Sequence, residues 1–166
     1  MARRASSSKL SHIDAGGKPR MVDVSAKRVT RRVARAQCRV HFARTIARAL
    51  HAAGLRGKKG PVLDTAIIAG TQAVKRTHEL IPFCHPLPIE RCAFDMRFVD
   101  AQTLIIECEV AVRARTGVEM EALTGATVAA LTVYDMCKAL GHNIEIGPAR
   151  LLAKRGGKTT VGRGRA

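Results

Sequence analysis

Residues 116–138, TGVEMEALTGATVAALTVYDMCK, read as a helix of about six turns with no proline in it. Its middle is small and apolar, with Ala122, Gly125, Ala126, Val128, Ala129, Ala130 and Leu131 in one short run. A helix that is apolar on nearly all sides belongs in a core, and small residues let neighbouring backbones come close. Yet the first turn carries Glu119 and Glu121, and the last carries Asp135 and Lys138. Charges are seldom buried unless they are paired or used. Fourteen residues separate Glu121 from Asp135, roughly 21 Å along a helix. One small ligand cannot span that distance. If both ends serve one site, two subunits must bring them together, so the spacing predicts an oligomer with shared sites.

The flanking sequence fixes what this helix packs on. Between residues 31 and 42, Ala34, Ala36, Cys38, Val40 and Phe42 alternate with Arg35, Gln37, Arg39 and His41, the pattern of a strand with one buried face. A short helix is expected over 43–53, stopped by Gly54, then a glycine-flanked basic loop at 55–61. A second helix follows over 62–78, with Ile67, Gly70, Thr71 and Val74 on one face. Three prolines between 82 and 88 forbid helix and central strand. Residues 89–99 alternate again through Cys92, Phe94, Met96 and Phe98. After a turn at 100–103, Leu104, Ile106, Cys108 and Val110 do the same, and one last strand is expected over 144–152. Strand, helices, strand, strand, helix, strand is an α+β order: the ferredoxin-like split βαβ, an antiparallel sheet with helices on one face. The chain divides into an N-terminal arm (1–20), one catalytic domain (21–155) and a flexible basic tail (156–166).

Composition narrows the function classes. The net charge is +16, from 29 Lys and Arg against 13 Asp and Glu, which calls for a polyanion or a phosphorylated ligand. Nucleic acid is the rival reading. However, aromatics make up only 3%, too few for base stacking, and no KH, RRM or zinc-finger motif occurs. No apolar run approaches the length of a membrane span, and the N-terminus lacks the apolar core of a secretory signal. The five cysteines contain no CxxC pair and fit a reducing compartment. The chain is therefore expected in the cytoplasm.

Several residues could carry chemistry, each with a plain structural alternative. Asp135 and Lys138, at i and i+3, are either an ordinary surface ion pair or an acid–base pair. The apolar residues around Asp135 favour a poorly solvated setting. Glu119 and Glu121 either complement the helix dipole or reach a ligand. His85, beside Cys84 in the proline-rich loop, is structural or a polar contact. Cys84 and His85 have no partners at metal spacing, so no metal site is expected. Lys59 is a solvated loop lysine, a phosphate contact or an acid–base group.

Longer stretches carry a specific resemblance. KRTHELIPFCHPLPI (75–89), TGVEMEALTGATVAALTVYDMCKA (116–139) and IGPARLLAKRGGK (146–158) resemble the MoaC-type cyclic pyranopterin monophosphate synthases of molybdenum cofactor biosynthesis, as does LSHIDAGGKPRMVDVSAK (10–27). The resemblance covers nearly the whole chain. It implies a ferredoxin-like subunit in a homohexamer, a trimer of dimers with sites at the dimer interface. It implies a small-molecule substrate, the 3′,8-cyclised dihydro-GTP, turned into cyclic pyranopterin monophosphate and pyrophosphate. No cofactor is required, Mg²⁺ is admitted as a companion of the triphosphate, and neither membrane nor nucleic acid is a partner. Residue by residue, it makes Asp135, Lys138 and Lys59 catalytic. It assigns Phe83, Cys84, His85, Glu119, Met120, Glu121 and Lys154 to substrate binding. Phe83 stands where the family usually has Leu, Arg115 where it more often has Lys, and Pro61 where an acid is common. None of these removes a proposed catalytic group.

Overall fold

A computed structural model describes residues 16–162. The alternating stretches form its sheet. Strand β1 (Thr30–Phe42) buries Ala34, Ala36, Cys38, Val40 and Phe42, the face that the alternation predicts. Then come α1 (Arg44–Ala52), a small hairpin of β2 (Arg56–Gly57) and β3 (Gly60–Pro61), α2 (Val62–Lys75) and α3 (Thr77–Leu80). Strands β4 (Arg91–Phe98) and β5 (Thr103–Ala114) follow, then α4 (Glu119–Cys137), β6 (Ile144–Ile146) and β7 (Arg150–Arg155). The sheet runs β4-β5-β1-β6, with β7 also on β1, and every pairing is antiparallel. This is the α+β split βαβ arrangement that the order of elements predicts.

Helix α4 lies on β1 and β5, and α2 packs beside it. The small residues explain how closely. A Cβ added at Gly70 would stand 2.9 Å from the Gly125 carbonyl oxygen, and one at Gly125 would stand 2.6 Å from Val74 Cγ2 and 2.8 Å from Cys108 Sγ. Only glycine fits where the two helices cross over β5.

Three expectations change. The last strand is two, because Pro148 has no N–H for the ladder; β1 pairs Val40 with Ile146 and then Ala36 with Leu151. The second helix stops at Lys75, and Thr77 turns its hydroxyl onto the Ala73 and Val74 carbonyls at 3.1 and 3.2 Å. Its Ile67 points outward, and the buried positions are Val62, Ala66, Gly70, Ala73 and Val74. Residues 1–15 and 163–166 lie outside the described residues. Those of 156–162 fold back, with Lys154 and Val161 exchanging backbone hydrogen bonds of 3.0 and 3.1 Å.

Candidate active site

The two ends of α4 carry different chemistry. At its C-terminal end, Lys138 Nζ is 2.9 Å from Asp135 Oδ1, and Lys59 Nζ is 2.5 Å from Asp135 Oδ2. Lys59 comes from the tip of the β2–β3 hairpin. Gly57 lets that hairpin lie against the helix: a Cβ there would be 2.9 Å from the Met136 carbonyl oxygen. Gly57 and Gly60 pair across the two-residue turn that holds Lys58 and Lys59, and Gly60 sits at a φ of +114°. Spacing alone leaves the role of Lys59 open, and only the resemblance groups it with Asp135; the hairpin brings it to the carboxylate.

Asp135 is not in the poorly solvated setting that its neighbours in sequence imply. Its side chain is 48% exposed, because the apolar residues beside it in sequence turn inward while it turns out. Hydrogen bonds from Lys59 and Lys138 hold its pKa below the usual carboxylate value. The Asp135 carboxylate in turn raises Lys138. A lysine–carboxylate–lysine trio of this kind keeps one anion between two cations and can pass or hold protons.

The N-terminal end is enclosed. The loop after α3 brings Phe83, Cys84, His85 and Leu87 against Glu119, Met120 and Glu121, with Val22, Val24 and Lys27 closing the other side. The resulting cavity has a volume of about 570 Å³. Glu121 is only 4% exposed. Burial pushes its pKa up to about 7, and the nearby charge of Glu119 adds to this. Desolvation outweighs the helix dipole here, although the dipole favours an anion in a first turn. Burial, and then the charge of Glu121, also raise the Cys84 thiol, so it remains a protonated wall of the cavity.

A second cavity of about 340 Å³ adjoins the first and shares Lys27, Thr116, Gly117, Glu119 and Lys158 with it. Among the described residues, Lys27, Arg28, Arg32, Arg115, Lys154, Arg155 and Lys158 line it, against the single acid Glu119. Lys154 Nζ meets Glu119 Oε1 at 2.9 Å. The first cavity has room for a flat ring with polar edges, with His85 and Glu121 among the residues that line it. The second suits a chain of phosphates.

The fold thus gathers Phe83, Cys84, His85, Glu119, Met120, Glu121 and Lys154 at one end of α4, and Lys59, Asp135 and Lys138 at the other. The residues missed by sequence reasoning are the cations Lys27, Arg28, Arg32, Arg155 and Lys158. Their signal was the basic surplus, which spacing alone could not localise. Among the described residues, no group of three or more His, Cys, Asp or Glu is placed to hold a metal ion.

Comparison with known proteins gives the family. The pattern of the MoaC family matches residues 21–157. A Xanthomonas campestris pv. campestris protein, described as cyclic pyranopterin monophosphate synthase, is 60% identical over 165 residues, covering 99% of this chain and 100% of that protein. A Synechocystis molybdenum cofactor biosynthesis bifunctional protein is 49% identical over 154 residues, 90% of this chain and 44% of its own length. The Dictyostelium discoideum molybdenum cofactor biosynthesis protein 1 is 44% identical over 167 residues, 90% of this chain and 26% of its own.

Proposed function

The chain belongs to the MoaC family, and on that premise we propose that it catalyses the cyclic pyranopterin monophosphate synthase reaction. The enzyme is a lyase of molybdenum cofactor biosynthesis. It converts 3′,8-cyclised dihydro-GTP to cyclic pyranopterin monophosphate and pyrophosphate. The observation that carries the reading, beside the full-length relationship, is the pair of joined cavities. A ring-sized space with His85 and Glu121 opens onto a cationic space, as a purine-derived ring bearing a triphosphate requires.

The roles follow from chemistry. Rearranging the ring breaks and forms bonds at an aminal carbon while protons move on and off nitrogen and oxygen, which suits Lys59 and Lys138 as general acid and base. Asp135 tunes Lys138 and holds both lysines in place. His85 and Glu121 grip the polar edge of the ring, with Phe83, Cys84 and Met120 as its walls. Closure of the cyclic phosphate expels pyrophosphate, and the charge that develops on it is met by Lys154 and the arginines of the second cavity.

The two groups lie at opposite ends of one helix, roughly 21 Å apart. We therefore propose that each site combines the N-terminal end of α4 from one subunit with the C-terminal end from another. The assembly is a homohexamer, a trimer of dimers, and light scattering that finds a fully active monomer overturns it. We further propose that no cofactor is required, with Mg²⁺ acting only as a companion of the triphosphate; loss of all turnover on adding a chelator speaks against this. No helix among the described residues is long and apolar enough to cross a membrane, and a cytoplasmic location is part of the proposal.

The deciding experiment incubates the purified protein with the GTP-derived intermediate and measures pyrophosphate and pterin product together. Turnover supports the reading. Absence of both products, with salt-sensitive RNA or DNA binding in their place, would favour a basic nucleic-acid module.

A further inference from the structure

A carboxylate inside an anion cradle repels what the cradle is there to hold. Glu119 is such a group. It lines both cavities, and among the described residues that line the cationic one it is the only acid. Its Oε1 accepts a hydrogen bond from Lys154 Nζ at 2.9 Å, and the two side chains are only 30% and 28% exposed. Lys154 stands on β7 and Glu119 on the first turn of α4, so the pair ties the strand to the helix.

Gly117 makes this arrangement available. The Glu119 carboxylate folds back over it. A Cβ on Gly117 would overlap Oε2 of Glu119 and stand 2.8 Å from its Cδ. The backbone of Gly117 is not in the left-handed region that favours glycine. A side chain at position 117 would therefore displace the Glu119 carboxylate from this seat rather than strain the backbone.

We propose that Glu119 is a positioning residue: seated over Gly117, its carboxylate holds the Lys154 ammonium in the lining of the cationic cavity, where that ammonium meets the phosphate oxygens of the substrate. A free lysine would spread over many rotamers, and fixing one in advance recovers that lost freedom on binding. Gly117 belongs to the device as the residue whose missing side chain gives the carboxylate its seat. The identity of the ligand rests on the function proposed above; the ion pair and its seat do not.

Calorimetric titration with inorganic tripolyphosphate tests this without turnover. Glu119→Gln should weaken binding by roughly tenfold, the scale of freezing one long side chain, and Lys154→Gln by at least as much, because it removes the contact itself. The double variant should bind no worse than Lys154→Gln alone. Tighter binding by Glu119→Gln overturns the proposal, since it shows that the acid only repels. So do losses that multiply in the double variant, because Glu119 would then act independently of Lys154.

Gly117→Ala should match Glu119→Gln in the native background and add nothing in a Glu119→Ala background. A further loss there overturns the role of Gly117. Thermal melts check that each variant folds, and if Gly117→Ala does not, the Glu119/Lys154 cycle decides alone. Wild-type turnover of the cyclised triphosphate without any tripolyphosphate binding overturns this inference and leaves the function standing. An intact binding cycle without turnover does the reverse.

Discussion

The N-terminal end of α4 is walled in, while the C-terminal end is open. At the first, Glu121 is 4% exposed and burial moves its pKa up to about 7. At the second, Asp135 and Lys138 have side chains about half exposed, and the hydrogen bonds and then the charges of their partners, not burial, shift them. One helix thus presents two kinds of site. Its enclosed end holds a desolvated carboxylate, and its open end holds an exposed lysine–carboxylate–lysine trio. The buried middle between them carries no charge and serves packing alone.

The largest effect belongs to the open end. Lys138→Ala should cut product formation by about 10³-fold, within the range that a lost general acid–base group costs. Its melting temperature should stay that of the native protein, because the side chain is exposed. Pyrophosphate release measured beside a thermal melt checks both. Near-normal turnover would remove Lys138 from the reaction and with it the contrast between the ends.

The enclosed end should appear in stability instead. The folded pKa of Glu121 lies above its ordinary value of 4.5, at about 7. The native state therefore holds a proton that the unfolded chain gives up. This contribution is complete below pH 4.5 and is lost progressively as pH rises to about 7. At most about 3 kcal/mol is involved. Glu121→Gln should flatten that slope in denaturant titrations run across the range. An unchanged slope would mean that Glu121 is solvated, and the two ends would then be alike.

The middle of the helix offers a third measurement. Gly125→Ala puts a methyl group 2.6 Å from Val74 Cγ2 and 2.8 Å from Cys108 Sγ. Overpacking of this kind should cost about 1–3 kcal/mol, read as a lower melting temperature. The same variant should leave the affinity for tripolyphosphate intact, since it touches neither cavity. A stability loss below the range would mean that α2 and α4 can slide apart at little cost.

These three regions were not equally legible in the sequence. The sheet was, because Ala34 to Phe42 and Leu104 to Val110 alternate with period two, and a one-residue slip would expose every one of them. The buried middle of α4 was, because Gly125, Ala126 and Ala129 have no other use. The setting of Asp135 was not. Its neighbours in sequence are apolar, but a helix turns by about 100° per residue, so they point elsewhere. The meeting of Lys59 with Asp135 was not legible from pattern either, since 76 positions separate them and only the hairpin at Gly57 joins them. Family resemblance grouped those residues before geometry did. The cationic cavity was the least legible part. Lys27, Arg32, Arg115 and Lys158 come from four separate segments, and the basic surplus says that a cradle exists without saying where.

The smallest effect tests whether the charges at the open end act on one another or merely coexist. Asp135→Asn keeps the shape and removes the anion. Because Asp135 and Lys138 are an exposed pair, the melting temperature should not move measurably. The hydrogen bond and charge of Asp135 raise the pKa of Lys138, so losing them returns that ammonium toward its ordinary value. Lys138 then gives up its proton at lower pH. The alkaline limb of the pH–rate profile should shift downward in pH, whatever happens to the maximal rate. Each outcome separates one idea. A shifted limb with an unmoved melt means that the carboxylate tunes the lysine and does not hold the fold. A lowered melt with an unmoved limb would make the trio structural, and proton transfer would have to be sought at the enclosed end.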